Sequence, residues 1–477
     1  MAGATVSNHD AILQENYGNV HEILQYATPV INMLPTSSKK PDGRQFRELI
    51  TNQHPASFGF YGPNMAATPD AQTAGYTEAI YHQCYGYGAL KIDWVLIEHN
   101  SGDHSYVDAL NNQMRLFTKF QAETMEKWAV SDGSGRLGAD TSGVLASNTI
   151  RGRVVRTATA PLTVKMYGSH NAVWFREGMA VEFMYDASTP GVGSESAFNT
   201  WEKRDTPAQG YFTIASIAVT KSATAANDIV TITMNENVVG AGKDPGDGET
   251  SDYDVIIADE AISPNTSTGS LNETRIPYGL DALIDDGNAV MQTQPYASSM
   301  QLADASLHGI SASNSWWQSE VADGASSYFS LDLAQEVCDG IARRSGSGSE
   351  GIRFLVADHF QARKYSLSLT AQERYPNTGS VGKFKSGTST MFNSHHAVDI
   401  AEKPMVKSRF QLRDRVHFVG KGIKQYTLKP WGWISKDGIW HRDFNYGTNY
   451  QAVASTYTQL GTTDRSASGK VENLLSA

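Results

Sequence analysis

The apolar positions change period several times along the chain, and each change marks a boundary. Val20, Ile23, Leu24, Ala27, Val30, Ile31 and Leu34 recur at helical spacing, interrupted by Pro29 and stopped by Pro35. That pattern predicts an arm with one short helix over residues 1–40. Residues 41–75 are rich in turn formers (Pro41-Asp42-Gly43, Pro55, Gly59, Gly62-Pro63, Pro69) and read as an excursion of extended chain with little core of its own. From Thr77 to Ile97 the residues are strand-like, including Ile80, Tyr81, Tyr85, Tyr87, Leu90, Ile92, Trp94 and Leu96, with Gly86 and Gly88 as breaks.

The strongest helical pattern comes next. Ser105 with Asp108 forms a capping box. Behind it Val107, Leu110, Met114, Phe117 and Trp128 fall on one stripe, with Leu116 and Phe120 beside it. Asn111, Arg115, Lys119 and Glu126 make the polar face. The helix runs to about Val130 and stops at Ser131-Asp132-Gly133, a length of about 39 Å at 1.5 Å per residue. That is long for a globular helix and suggests a structural spine.

From about Arg151 to Leu271 the period becomes two: Leu162, Val164, Met166; Val181, Phe183, Tyr185; Phe212, Ile214; Val230, Ile232, Met234. Turns such as Pro190-Gly191 and Asp244-Pro245-Gly246-Asp247-Gly248 separate the runs, so this segment predicts a self-contained β-barrel or sandwich. Helices then follow over about 329–344 and 358–373, with a buried strand, Ile352 to Val356, between them. Alternation with many aromatics returns from Met405 to Tyr457. No internal repeat is present.

Composition narrows the class. The chain has 477 residues, which at roughly 150 per domain suggests about three domains, or one large domain with an insertion. A hydrophobic share of 40% against 19% charged excludes a disordered chain. No apolar run approaches the ~18 residues of a membrane span. The first basic residue is Lys39, so the charged start of a secretory signal is missing. Cys84 and Cys338 cannot build a disulfide framework. A net charge of -11 argues against a dedicated nucleic-acid binder. What remains is a soluble α+β protein made inside the cell.

Candidate chemistry is sparse. Gly133-Ser134-Gly135-Arg136-Leu137-Gly138 matches G-x-G-x-x-G. It follows a helix and leads into loop, whereas a dinucleotide site needs a strand before it and a helix after it. A helix-ending turn is the better reading. His395-His396 near Asp399 could suggest a metal, but adjacent histidines project apart, and surface loop residues account for them. The acidic stretch Asp244 to Asp254 lacks EF-hand spacing. No G-x-S-x-G, H-E-x-x-H or P-loop occurs. Asn265-Thr266-Ser267 and Asn272-Glu273-Thr274 match glycosylation acceptors and mean nothing without secretion.

The basic residues Lys403, Lys407, Arg409, Arg413, Arg415, Lys421, Lys424, Lys429, Lys436 and Arg442 interleave with Phe410, Phe418, Tyr426, Trp431, Trp433 and Trp440. Such residues can make a single-strand nucleic-acid platform. A sheet with a charged outer and an aromatic inner face, pairing with neighbouring subunits, suits an acidic chain better. Arg343-Arg344 caps a helix C-terminus. No catalytic, cofactor-binding or metal residue is assigned, and no enzyme activity is expected.

The order of pieces resembles the major capsid protein of tailed bacteriophages. Four stretches carry the resemblance. Trp128-Ala129-Val130-Ser131-Asp132-Gly133-Ser134-Gly135 is similar to the turn after that family's spine helix. Pro277-Tyr278-Gly279-Leu280-Asp281-Ala282-Leu283-Ile284-Asp285 is similar to the segment leading back into its axial domain. Ser313 to Trp317 resembles the stretch before the axial helices. Asn445-Tyr446-Gly447-Thr448-Asn449-Tyr450 on to Gly469-Lys470-Val471-Glu472-Asn473-Leu474 is similar to its closing strand and tail.

The resemblance implies an α+β capsid fold divided into an N-terminal arm (1–40), an extended loop and flanking strands (41–90), and a peripheral domain with the spine helix (91–150). A β-rich insertion domain (151–271), an axial domain (272–425) and C-terminal peripheral-domain strands with a tail (426–477) complete it. The insertion departs from the basic family fold. The resemblance also implies an icosahedral shell of hexamers and pentamers in the virion, made in the host bacterial cytoplasm. Scaffolding, portal and decoration proteins and non-specific contact with packaged double-stranded DNA would be its partners, with no membrane involved. Some members of the family crosslink a loop lysine to a neighbour's asparagine. Here Pro41 through Leu90 contains no lysine, with Lys39, Lys40 and Lys91 only at the base, so no such crosslink is expected. An encapsulin-type nanocompartment shell and a β-rich ligand-binding protein or hydrolase are the alternatives.

Overall fold

In the computed structural model the described residues are 29–43, 45–54, 73–93, 117–131, 133, 136–139, 154–159, 162–167, 169–186, 201–203, 211–221, 228–236, 255–258, 276–286, 306–311, 314–325, 327–346, 348–372, 399–400, 403–434, 440–442 and 449–475. The N-terminal helix α1 spans Pro29–Met33. Pro29 therefore opens this helix rather than interrupting it, because a proline at the first helical position has no N–H to leave unpaired. Residues 20–28 and the predicted cap at Ser105 lie outside the described residues.

Strands β1 (Gln45–Gln53) and β2 (Gly75–His82) form an antiparallel ribbon, so the excursion is a hairpin. Strand β3 (Cys84–Asp93) follows at once. Gly86 and Gly88 lie inside it and do not break it. A Cβ at Gly88 would meet the Gln121 amide nitrogen at 2.8 Å and the Phe117 ring at 2.9 Å, so the missing side chain admits the spine helix. That helix, α2, is described over 117–129 and ends at Ser131, with Gly133 at φ +81°. Its Trp128 lies in the core, as the stripe predicts. Glu126, read as polar-face, is buried as well.

Among the described residues the insertion forms one eight-stranded antiparallel sheet in the order β4-β11-β7-β9-β10-β6-β5, with β8 beside β7. Its strands are β4 (Arg136–Ala139), β5 (Val154–Thr159), β6 (Leu162–Tyr167), β7 (Ala180–Asp186), β8 (Trp201–Lys203), β9 (Phe212–Thr220), β10 (Ile229–Met234) and β11 (Val255–Ala258). Two expectations change. The sheet begins before residue 151, because β4 pairs with β11 and places Gly138 of the G-x-G-x-x-G stretch opposite Ile256. A strand, not a nucleotide-binding helix, thus follows those glycines. Nor is the core self-contained: Leu162, Val164, Val181, Phe212, Ile214, Val230 and Ile232 share one cluster with Trp128, Val130, Leu280 and Phe354.

After the buried turn α3 (Leu280–Leu283), the hairpin β12 (Ser306–Leu307) and β13 (Ile310–Ser311) leads into a six-stranded sheet. Its order is β14-β22-β18-β15-β17-β16, made of β14 (Glu320–Asp323), β15 (Ile352–Ala357), β16 (Asp399–Ile400), β17 (Lys403–Lys407), β18 (Val416–Gly420) and β22 (Gly469–Glu472). Helices α4 (Leu331–Ser345) and α5 (His359–Gln372) match the predicted pair. Ser330 caps α4 by accepting from the Leu333 amide at 3.3 Å, and Gly346 ends it in the left-handed region. Val337, Ile341, Phe329 and Tyr365 pack with Phe418 and Val471.

The tail expected among the outer strands instead returns to this sheet, where β22 is parallel to β14 and antiparallel to β18. Val471 is fully buried there, packed with Val337, Ile341 and Phe418. The outer sheet comprises β19 (Ile423–Trp433), β20 (Trp440–Arg442) and β21 (Asn449–Thr462), with β3 on the other side of β21.

Candidate functional site

The β1–β2 hairpin has two unlike ends. At its base Phe46 and Tyr81 are buried, and the Tyr81 ring stacks on Tyr426 of β19 with centroids 4.3 Å apart. The Tyr81 hydroxyl donates to the Thr462 carbonyl at 2.8 Å. Burial holds its pKa above the ordinary phenol range, so it stays a donor. Farther out, Leu49 and Tyr76 are 68% and 60% exposed. Leu49 faces Glu78 and Thr51 faces Tyr76, which puts both apolar residues on one side of the ribbon. A two-stranded ribbon is marginal alone, and this one offers apolar surface to something outside the chain.

A groove of about 940 Å³ opens between α2, β3 and the turn after β6. Phe117, Phe120 and Trp128 line it from α2, Tyr85 and Tyr87 from β3, and Trp174 and Met179 from the insertion. The buried amides of Gln83 and Gln121 reach it without a hydrogen-bond partner among the described residues. At one end Glu123 pairs with Arg176 and, at 3.3 Å, with Arg409. Burial lowers the pKa of both arginines, and for Arg176 the Arg409 charge adds to the effect. Cys84 is buried against Gln459, and burial pushes its thiol up to about 12, which leaves it protonated and unreactive.

Where α3 meets β18 and β22, ionic side chains gather inside the protein. Nη1 of Arg415 donates to both carboxylate oxygens of Asp281 at 2.7 Å, and His417 Nε2 lies 3.2 Å from Oδ1. Lys470 Nζ lies 2.5 Å from Glu472 and 3.3 Å from Asp285. Arg465 donates to the carbonyls of Leu283 and Ala282 at 3.0 and 3.2 Å. Burial alone would raise the Asp281 pKa, but Arg415, Lys470 and His417 hold it well below the usual carboxylate range. Burial depresses His417 and keeps the imidazole neutral, despite Asp281.

Burial pushes Asp414 up to about 6, Arg415 opposing it only in part. Lys470 stays charged despite burial because Asp285, Glu472 and Asp281 surround it. An amine held protonated is no nucleophile. The cluster joins segments far apart in the chain electrostatically.

The basic, aromatic C-terminal segment divides accordingly. Arg415 is buried in the cluster, Phe410, Phe418 and Tyr426 are core, and Lys429 donates to Ser455 at 2.6 Å. Arg415 thus departs from the expected charged outer face, because Asp281 repays its burial. Arg344 reaches Glu320 of β14 at 2.7 Å besides closing α4. His395, His396, the acidic stretch 244–254 and the two glycosylation matches lie outside the described residues. Among the described residues no group of His, Cys, Asp and Glu is arranged to hold a metal ion. The roles of Asp281, Asp285 and Glu472 escaped the sequence reading, although all three lie in stretches that carry the family resemblance. Two acids among Leu280, Leu283 and Ile284 were the available signal.

No family model and no curated protein matches the sequence. Solved structures are similar over most of the chain. The capsid of cyanophage A-1(L) aligns at 9% identity and TM-score 0.45, covering 94% of this chain and 93% of that one. The capsid of a native GTA particle aligns at 8% identity and TM-score 0.41, covering 93% and 89%. The holo-SrpI encapsulin complex of Synechococcus elongatus aligns at 9% identity and TM-score 0.39, covering 94% and 88%.

Proposed function

We propose that this chain is the repeating subunit of a closed shell: the major capsid protein that encloses the double-stranded DNA of a tailed phage. The observation that carries the reading is the pair of unfinished surfaces on one subunit, the apolar patch of Leu49 and Tyr76 and the aromatic groove with the unpaired Gln83 and Gln121 amides. Buried amides without partners cost about 1–3 kcal/mol each, and a second copy supplies what both surfaces lack. Contacts of this unlike-to-unlike kind close into rings and shells under symmetry. The sequence resemblance agrees: the arm, hairpin, spine helix and central sheet occur in the expected order.

The role is structural and without enzyme activity. In this reading the shell comprises hexamers and pentamers of the chain in the virion, after synthesis in the host bacterial cytoplasm. Portal, scaffolding and decoration proteins are its partners, and contact with packaged DNA is non-specific, since a subunit of net charge -11 grips phosphates weakly. The nanocompartment reading shares the same surfaces and differs in contents.

Light scattering and negative-stain microscopy of the purified protein test this. Closed particles are the expected result, and DNA inside phage-derived particles selects the capsid over a cargo-filled compartment. A 51.9 kDa species alone at every concentration and salt would overturn the reading.

A further inference from the structure

Glu126 stands on the side of α2 that the sequence pattern assigns to solvent, yet it is 1% exposed. Its carboxylate reaches α1 and accepts from the Val30 amide at 3.3 and 3.2 Å, through Oε1 and Oε2, and from the Ile31 amide at 3.3 Å. These amides belong to the first turn of α1, where backbone N–H groups have no partner within the helix. Beyond α1 the arm is held a second time. The Gln425 amide donates to the Pro35 carbonyl at 2.9 Å, and the Ser37 amide donates to the Gln425 carbonyl at 2.8 Å. That second hold is made of backbone groups, and farther along Lys39 pairs with Glu48 of β1 at 3.7 Å; Glu126 is the titratable group that holds α1 itself.

Among the described residues no countercharge pairs with it. Helix α1 reads Pro-Val-Ile-Asn-Met and contributes nothing ionisable. On α2, Glu123 is paired with Arg176 and Arg409, while Lys127 donates to the Trp174 carbonyl at 2.7 Å. After β17 comes the buried Ser408 hydroxyl, next to Arg409. Lys119 of α2, Lys403 and Lys407 of β17 and Lys424 and Lys429 of β19 are the other cations on the elements packed here, and among the described residues no ion pair reaches Glu126. A carboxylate enclosed in this way is expensive in its charged form. Burial moves it up to about 7, the Val30 and Ile31 amides and Ser408 opposing only in part.

We propose that Glu126 is a proton-operated latch on the N-terminal arm, closing α1 onto the spine helix when protonated and loosening it when ionised. The protonated acid still accepts from the arm amides through its carbonyl oxygen, and no net charge remains in the core. Once the arm lifts, the carboxylate meets water and returns to its ordinary value of 4.5. The docked state therefore binds the proton more tightly. Docking is strongest in acid, weakens as pH rises toward about 7, and is flat above it. Its purpose rests on the shell reading, in which a loosened arm is free to cover a neighbouring copy. The latch itself belongs to a single chain.

Hydrogen exchange of the full chain, kept unassembled at low concentration and corrected for intrinsic rates, reads the latch at Val30 to Leu34. Protection should fall roughly tenfold or more between pH 5.5 and 8, levelling off near neutrality. Glu126→Gln should protect these amides equally at both pH values. Equal protection in the natural chain, or a Gln variant that keeps the same pH dependence, overturns the proposal. If the Gln variant does not fold, the pH at which protection stops falling in the natural chain decides: levelling off already near the ordinary carboxylate value refutes the latch. Neither result depends on whether shells form, so failure of the latch and failure of the shell reading are separable.

Discussion

Arg415 on the approach to β18 and Asp281 in α3 share a two-point contact, one guanidinium nitrogen 2.7 Å from each carboxylate oxygen, across 134 positions of sequence and wholly inside the protein. The contact ties the segment returning from the insertion to the central sheet. Removing one partner leaves the other charged and buried, which costs about 3–5 kcal/mol. Asp281→Ala should therefore lower stability by that order in urea unfolding. Replacing both partners with apolar residues should recover much of the loss. A single variant of natural stability would show that the pair contributes little.

Asp414, in the same cluster, carries a pH signature. Its folded pKa of about 6 lies above the ordinary 3.8, so the folded state holds the proton more tightly. That contribution is fully present below about 4 and is lost as pH rises through about 6. Between pH 5 and pH 7 it amounts to about 1 kcal/mol. Asp414→Asn should remove that part of the decline, seen as a smaller difference between denaturant midpoints at the two pH values.

Trp128 closes the core shared by α2, the insertion and α3. Trp128→Ala should cost about 3–5 kcal/mol and abolish soluble assembly. Normal particle yield would place the buried face of the spine helix elsewhere.

Leu49 is largely exposed on its own chain, so Leu49→Asp should leave the unfolding free energy within about 0.5 kcal/mol of the natural chain. Particle formation should nevertheless fall. Scattering and calorimetry on the same sample separate the two effects, and unchanged assembly would remove the hairpin face from the subunit contacts.

Covalent linkage is a further check. With no lysine from Pro41 through Leu90, particles boiled in SDS should run as a single monomer band. A ladder of multimers that survives reductant would require an amine from another segment.

The sequence alone determined what local physics controls. Pro35 and Gly346 end helices, Ser330 starts one, and the 3.6-residue stripe through Val337 and Ile341 places α4 within a residue or two of its observed bounds. Period two identified the strands of the insertion, and the turn formers marked the hairpin excursion.

What the tertiary structure decided is every pairing that links distant segments. Local pattern could not show that Val471 completes the central sheet, that Gly88 makes room for Gln121, or that the insertion shares its core with Trp128. The charged residues were least legible. Glu126 and Arg415 read as solvated from their chemistry, and nothing local established that Asp281 is buried, because burial of charge is allowed only by a partner or an amide brought from far away in the chain, and proximity of that kind exists only once the fold has formed.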